Sequence, residues 1–84
     1  MHYIVYILRS LKSKNLYIGY TTSLDRRIEE HNTGKSAATK PYSPWEIIFH
    51  ETDTNSVDAK RREKYFKSSK GKTTLRMMLT ETLR

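Results

Sequence analysis

The run Tyr3-Ile4-Val5-Tyr6-Ile7-Leu8 is apolar or aromatic at every position. In a β-strand successive side chains point to opposite faces. Tyr3, Val5 and Ile7 would therefore share one face, and Ile4, Tyr6 and Leu8 the other. A strand apolar on both faces belongs in the middle of a sheet, covered on each side. We expect it over His2–Arg9. A chain of 84 residues buries only a small core, so this strand has to be the axis of that core.

The following residues supply its neighbours. Ser10–Lys14 is polar and Asn15 tolerates unusual backbone angles, which reads as a hairpin loop. Leu16–Tyr20 is then an antiparallel partner strand. Gly19 within it marks a kink or a close approach. A first helix is expected over Ser23–Asn32, with Thr22 or Ser23 as cap, Leu24 and Ile28 as its apolar stripe, and Asp25 suited to the helix dipole. Arg27 and His31, four residues apart, flank that stripe on one face. Asn32-Thr33-Gly34 is a stop signal, with Gly34 as a left-handed cap. Lys35–Ser43 reads as a basic loop broken by Pro41.

Trp45–His50 reads as a third strand with Trp45, Ile47 and Phe49 on one side. Asn55 or Ser56 can cap a second helix over Val57–Lys67, whose inward face carries Ala59, Glu63 and Phe66. Ser68–Lys72 reads as a second basic loop containing Gly71. A last helix is expected from Thr73 or Thr74 to Leu83, packing through Leu75, Met78 and Leu79. The order β-β-α-β-α-α predicts one α+β domain over residues 1–84. Its centre is a three-stranded antiparallel sheet flanked by helices, with the third strand on either edge.

Charge points toward a partner. Sixteen Lys and Arg face nine Asp and Glu, a formal net charge of +7. Such a field attracts polyanions, and nucleic acid is the commonest of them. Lys35, Lys40, Lys67, Lys70 and Lys72 are candidate phosphate contacts. The chain has no cysteine, which excludes disulfides and thiolate metal sites and fits the cytoplasm. Its first residues lack the pattern of a signal peptide, and no apolar run is long enough to span a bilayer. The expectation is a soluble cytoplasmic protein with no membrane partner. Gly71-Lys72-Thr73 echoes the end of a phosphate-binding P-loop, but Phe66 stands where the earlier glycine would be and no strand precedes it.

Two short motifs narrow the reading. Tyr17-Ile18-Gly19, together with Ile4-Val5-Tyr6 upstream, resembles the paired half-motifs of the GIY-YIG nuclease domain. The chain is most similar to the small stand-alone bacterial, UPF0213-like members of that superfamily. The likeness runs from Tyr3 to about Met78. Ile4 replaces the namesake glycine of the first half-motif, a change that touches no polar group. Tyr20 stands where several relatives carry lysine, which turns attention to His31 as a substitute.

The resemblance implies a fold with the first strand in the middle, and it implies a site. Tyr6 and Tyr17 would position or activate water, although an ordinary phenol with a pKa near 10 is a poor base at neutral pH. Arg27 follows Gly19 by eight residues, as the family's catalytic arginine does, and its planar fork can hold a phosphate oxygen. His31 would transfer a proton or touch the same phosphate. Glu63 matches the family's single metal glutamate and would hold Mg²⁺ or Mn²⁺ with help from water and substrate. Left without metal, it would pair with Arg27 or a tyrosine hydroxyl. His2 and His50 have no such company and read as structural. The implied activity is a metal-dependent DNA endonuclease, structure-directed or of low sequence specificity, with RNA as a further substrate class. The alternatives are a nucleic-acid-binding module without chemistry, and a nuclease subunit that needs a second protein.

Overall fold

The structure is a computed structural model describing residues Met1–Arg84. It sets the apolar run in the middle of a three-stranded antiparallel sheet. Strand β1 (Tyr3–Ser10) lies between β2 (Leu16–Thr21) and β3 (Trp45–Asp53). Val5, Tyr6, Ile7 and Leu8 are all buried, so both faces of β1 are covered. On one face Val5, Ile7 and Ile18 pack with Ala59 and Phe66 of α2 (Ser56–Lys67) and Leu75 of α3 (Ser69–Met78). On the other, Tyr6, Leu8 and Trp45 are closed over by Leu24 and Ile28 of α1 (Leu24–Asn32). Three helices thus flank the sheet, one on one face and two on the other.

Side chains fix the connections. Ser10 Oγ accepts from the backbone N–H groups of Lys12 and Ser13 and closes the β1–β2 turn. Asn55 caps α2 by accepting from the N–H groups of Val57 and Asp58. Gly34 adopts φ 79°, the left-handed conformation expected of a residue ending α1. Ser23 occupies the N-cap of α1 but its hydroxyl makes no capping bond. Thr21 Oγ1 accepts from the Ser23 N–H instead.

Three expectations are corrected. Strand β3 runs on to Asp53, because its polar end pairs with the start of β1, Tyr3 opposite Asp53. A bulge shifts the β1–β3 register between Ile7 and Leu8. It throws Trp45 and Phe49 onto opposite faces and leaves Ile47 exposed. The third correction is at the C-terminal end. Ser68–Lys72 is no loop: Ser68 alone separates α2 from α3, and its hydroxyl accepts from the Gly71 N–H. Gly71 lies buried inside α3, where a Cβ would run into the Tyr65 carbonyl oxygen. Here glycine permits two helices to approach, which composition alone reads as a turn. The helix then ends at Met78, short of Leu83.

Candidate active site at the edge of the sheet

Gly19 explains the position of the site. It pairs with Tyr6 across β1 and β2. A side chain there would overlap the ring and hydroxyl of Tyr6. Without one, the Tyr6 ring lies flat over β2 and its hydroxyl reaches toward the sheet edge. Tyr17, two residues earlier on the same face of β2, sets its ring 6.3 Å from that of Tyr6. It also stands edge-on to His31 at 4.8 Å and to Trp45 at 6.4 Å.

The Tyr6 hydroxyl lies 2.9 Å from His31 Nε2, and His31 Nδ1 lies 2.7 Å from Thr39 Oγ1. His31 and Thr39 are fully buried or nearly so. Trp45 Nε1–H donates to the Thr39 carbonyl, and Asn32 exchanges two hydrogen bonds with the Trp45 backbone. The loop after α1 is thereby pinned to the start of β3, and it presents Thr39 to the imidazole.

Electrostatics assigns a state to each group. Burial, reinforced by the neighbouring Tyr17, pushes the Tyr6 phenol up to about 12. Tyr6 is therefore a neutral O–H throughout the physiological range. Burial, and next the charge of Arg27, push His31 below its ordinary value, so its imidazole is neutral. Thr39 Oγ1 also reaches the Ser36 carbonyl at 3.4 Å. If the threonine proton is directed there, His31 Nδ1–H donates to Thr39 and Nε2 accepts from Tyr6.

Arg27, on α1, donates to Glu30 at 2.9 Å, and that contact is the largest cause holding its guanidinium above the ordinary range. Its charge also acts on Tyr6 and Tyr17. Glu63, on α2, adds the smallest of the influences that raise the Tyr6 phenol. Its carboxylate takes a hydrogen bond from Lys67 Nζ at 2.9 Å and none from Arg27 or a tyrosine. The Tyr17 hydroxyl has no partner within the protein. Asp53 Oδ2 is the one buried side-chain polar atom without a partner, so the Tyr17 oxygen faces solvent.

Tyr6, Tyr17 and His31 pack together on the face covered by α1, Arg27 of α1 bears electrostatically on both phenols, and Glu63 is carried by α2, which covers the other face. His31 is buried with both ring nitrogens engaged inside the protein, so of the two roles expected of it, proton transfer rather than phosphate contact suits its position. Lys35 and Lys40 are exposed in the segment after α1, Lys67 sits on Glu63, and Lys70 and Lys72 project from α3. Thr39 and Trp45 were not singled out from sequence for this site. The only clue was chemical: a buried histidine needs a partner for its second nitrogen.

The donor set fits a divalent cation of a particular kind. No group of three or more His, Cys, Asp or Glu side chains comes together anywhere in the molecule. Glu63 is a single carboxylate, 23% exposed, with one flexible lysine on it. One hard oxygen of that sort suits Mg²⁺, which keeps most of its waters and borrows ligands from a substrate phosphate.

The fold is an α+β domain with a three-stranded antiparallel sheet, and Tyr6, His31 and Thr39 form a hydrogen-bonded chain on its α1 face. The chain matches the model of the GIY-YIG catalytic domain over residues 2–76 and belongs to that nuclease family. Within it the relatives are UPF0213 proteins. One from Staphylococcus haemolyticus is 38% identical over 78 residues, 92% of this chain and 93% of that one. Another, from Natronomonas pharaonis, is 37% identical over 82 residues, 96% and 94% of the two chains. The solution NMR structure of a UPF0213 protein from Bacillus halodurans superposes with a TM-score of 0.58 at 32% identity, covering 93% of this chain and 85% of that one. No helix here is long and apolar enough to cross a membrane.

Proposed function

We propose that this protein is a metal-dependent endonuclease that hydrolyses phosphodiester bonds in DNA. The observation that carries the reading is the Tyr6 hydroxyl, hydrogen-bonded to His31 and set beside Tyr17. In this reading the solvent-facing Tyr17 hydroxyl orients the attacking water. Tyr6 takes a proton from that water as it passes its own to neutral His31 Nε2. The imidazole is thus the acceptor that a phenol of pKa about 12 cannot be alone. Arg27 stabilises charge on the phosphate oxygens as the bond to the leaving oxygen breaks. Glu63 would hold Mg²⁺ or Mn²⁺, which supplies Lewis-acid stabilisation of that charge when bound.

The test is a panel of nicked, branched, single-stranded and intact duplex DNA, with matching RNA, offered to the purified protein with Mg²⁺ or Mn²⁺. Cutting should disappear in Tyr17→Phe, Arg27→Ala and Glu63→Gln while binding persists. A wild-type protein that binds these substrates and cuts none refutes the proposal.

A further inference from the structure

The largest cleft lies away from this cluster. It measures about 550 Å³ and is walled by Arg9, Lys14, Arg76 and Arg84, between the β1–β2 hairpin and the end of the chain. A smaller hollow of about 280 Å³ shares Lys14 and Arg76 and continues along α3 to Lys72. Five cationic side chains line the pair, and no Asp or Glu does. Arg9 is held by Glu46 and by the Thr82 carbonyl, and Arg84 by Glu81. Lys14, Lys72 and Arg76 are exposed and make no ion pair.

We propose that this cleft binds the sugar-phosphate backbone of a nucleic-acid strand outside the cutting site. The proposal rests on the nuclease reading and adds a substrate class to it. Three unpaired cations along one groove suit successive phosphates. The floor, Leu16, Ile18, Leu75 and Leu83, is aliphatic. It offers no aromatic ring for a base to stack on, so the contact is to backbone and is indifferent to sequence.

Position then restricts the substrate. Leu16, Ile18 and Leu75 belong to the face of the sheet covered by α2 and α3, whereas Tyr6 and Trp45 belong to the face covered by α1. Glu63 comes from α2 and Tyr6 and Arg27 from the α1 side, so the proposed cutting site straddles the β2 edge, and a strand running into it from the cleft bends there. Intact duplex is stiff over about 150 bp and does not turn so sharply over so small a protein. A single strand, or a duplex broken by a nick or a branch, does. The cleft therefore selects for substrates with a flexible joint.

The experiment measures binding of a single strand, a nicked duplex, a branched duplex and an intact duplex across a range of salt. It compares wild type, the triple variant Lys14→Gln/Lys72→Gln/Arg76→Gln and a control, Arg61→Gln/Lys64→Gln, with cations removed elsewhere on α2. On the single strand the triple variant should flatten the slope of log K against log salt by about 2, at about 0.7 for each phosphate that is no longer neutralised. Affinity for intact duplex should change no more than in the control. A slope unchanged in the triple variant overturns the proposal, as does an equal drop in the control. So does equal dependence on the three cations for intact duplex, or tighter occupancy by a nucleoside triphosphate than by the strand. The two readings fail separately. Strand binding that needs these cations, without cutting, removes the nuclease and leaves the cleft; cutting indifferent to them does the reverse.

Discussion

Thr39→Val tests the buried relay directly. Valine nearly matches threonine in shape, so packing around the α1 face survives. What disappears is the oxygen 2.7 Å from His31 Nδ1. Thr39 is 1% exposed and His31 fully buried, so water does not readily replace it. Leaving one buried donor unsatisfied costs about 1–3 kcal/mol. For a domain of this size each kcal/mol moves the midpoint by about 4–8 °C, so thermal unfolding should fall by at least ~4 °C. A second readout is specific to the relay. With Nδ1 unpartnered, the imidazole gains by moving its proton to Nε2, where the Tyr6 oxygen can accept it. The ¹⁵N shifts of His31 report which nitrogen is protonated, and they should exchange their order. Cutting should fall while substrate binding holds, because the acceptor for the Tyr6 proton is gone. Thr39→Ser, which restores the oxygen, should recover the tautomer. Wild-type ¹⁵N shifts in Thr39→Val, with an unmoved midpoint, would refute the reasoning.

Three further outcomes follow. Gly19→Ala places a methyl in the Tyr6 ring; overpacking of this kind costs about 1–3 kcal/mol, and denaturant titration should show it, together with a broken Tyr6–His31 hydrogen bond. Gly71→Ala gains about 1 kcal/mol of helix propensity but meets the Tyr65 carbonyl, which is backbone and cannot swing aside; the variant should be less stable by denaturation, and a more stable one would discard the close-approach explanation. The third concerns pH: His31 is held below its ordinary value, mainly by burial, so as pH falls through about 6.5 the unfolded chain takes up a proton that the native state refuses. Stability should therefore be full above that pH and decline below it, by at most about 1.4 kcal/mol per unit. His31→Gln should remove that dependence, and an identical pH slope in wild type and variant would contradict it. Glu30, whose carboxyl is depressed by Arg27, loses its contribution only at lower pH, in the carboxylate range.

The fold was legible where periodicity was strong and misread where one residue changed the count. The two-sided run of β1 announced a central strand, and the structure buries it on both faces. The inward set Ala59 and Phe66 stood out by helical spacing, and both are fully buried. The face of Trp45 and Phe49 was misjudged because a bulge leaves no mark in residue type. Gly71 was misjudged because glycine serves turns and close helix packing alike. Tyr6, Tyr17, Arg27, His31 and Glu63 of the proposed site could be named because motif spacing carried them. Thr39 could not, since its role depends on a loop conformation set by Trp45 and Asn32.

The smaller core ties chemistry to folding. On the α1 face only Tyr6, Leu8 and Trp45 are buried in the cluster. Tyr6 carries the proposed relay and Trp45 anchors it, so two of the three residues serve both purposes. Truncating either opens a cavity, at about 3–5 kcal/mol for a large aromatic, which is a large share of the stability of a small domain. Loss of cutting in Tyr6→Ala would therefore say nothing about mechanism. Tyr6→Phe separates the two roles, because it keeps the ring over Gly19 and removes only the oxygen bonded to His31. If the phenol is a relay, Tyr6→Phe should fold, bind substrate through Arg27 and the basic cleft, and fail at the chemical step. If the phenol is only a strut for His31, Tyr6→Phe should lose stability and cut at the wild-type rate once folded.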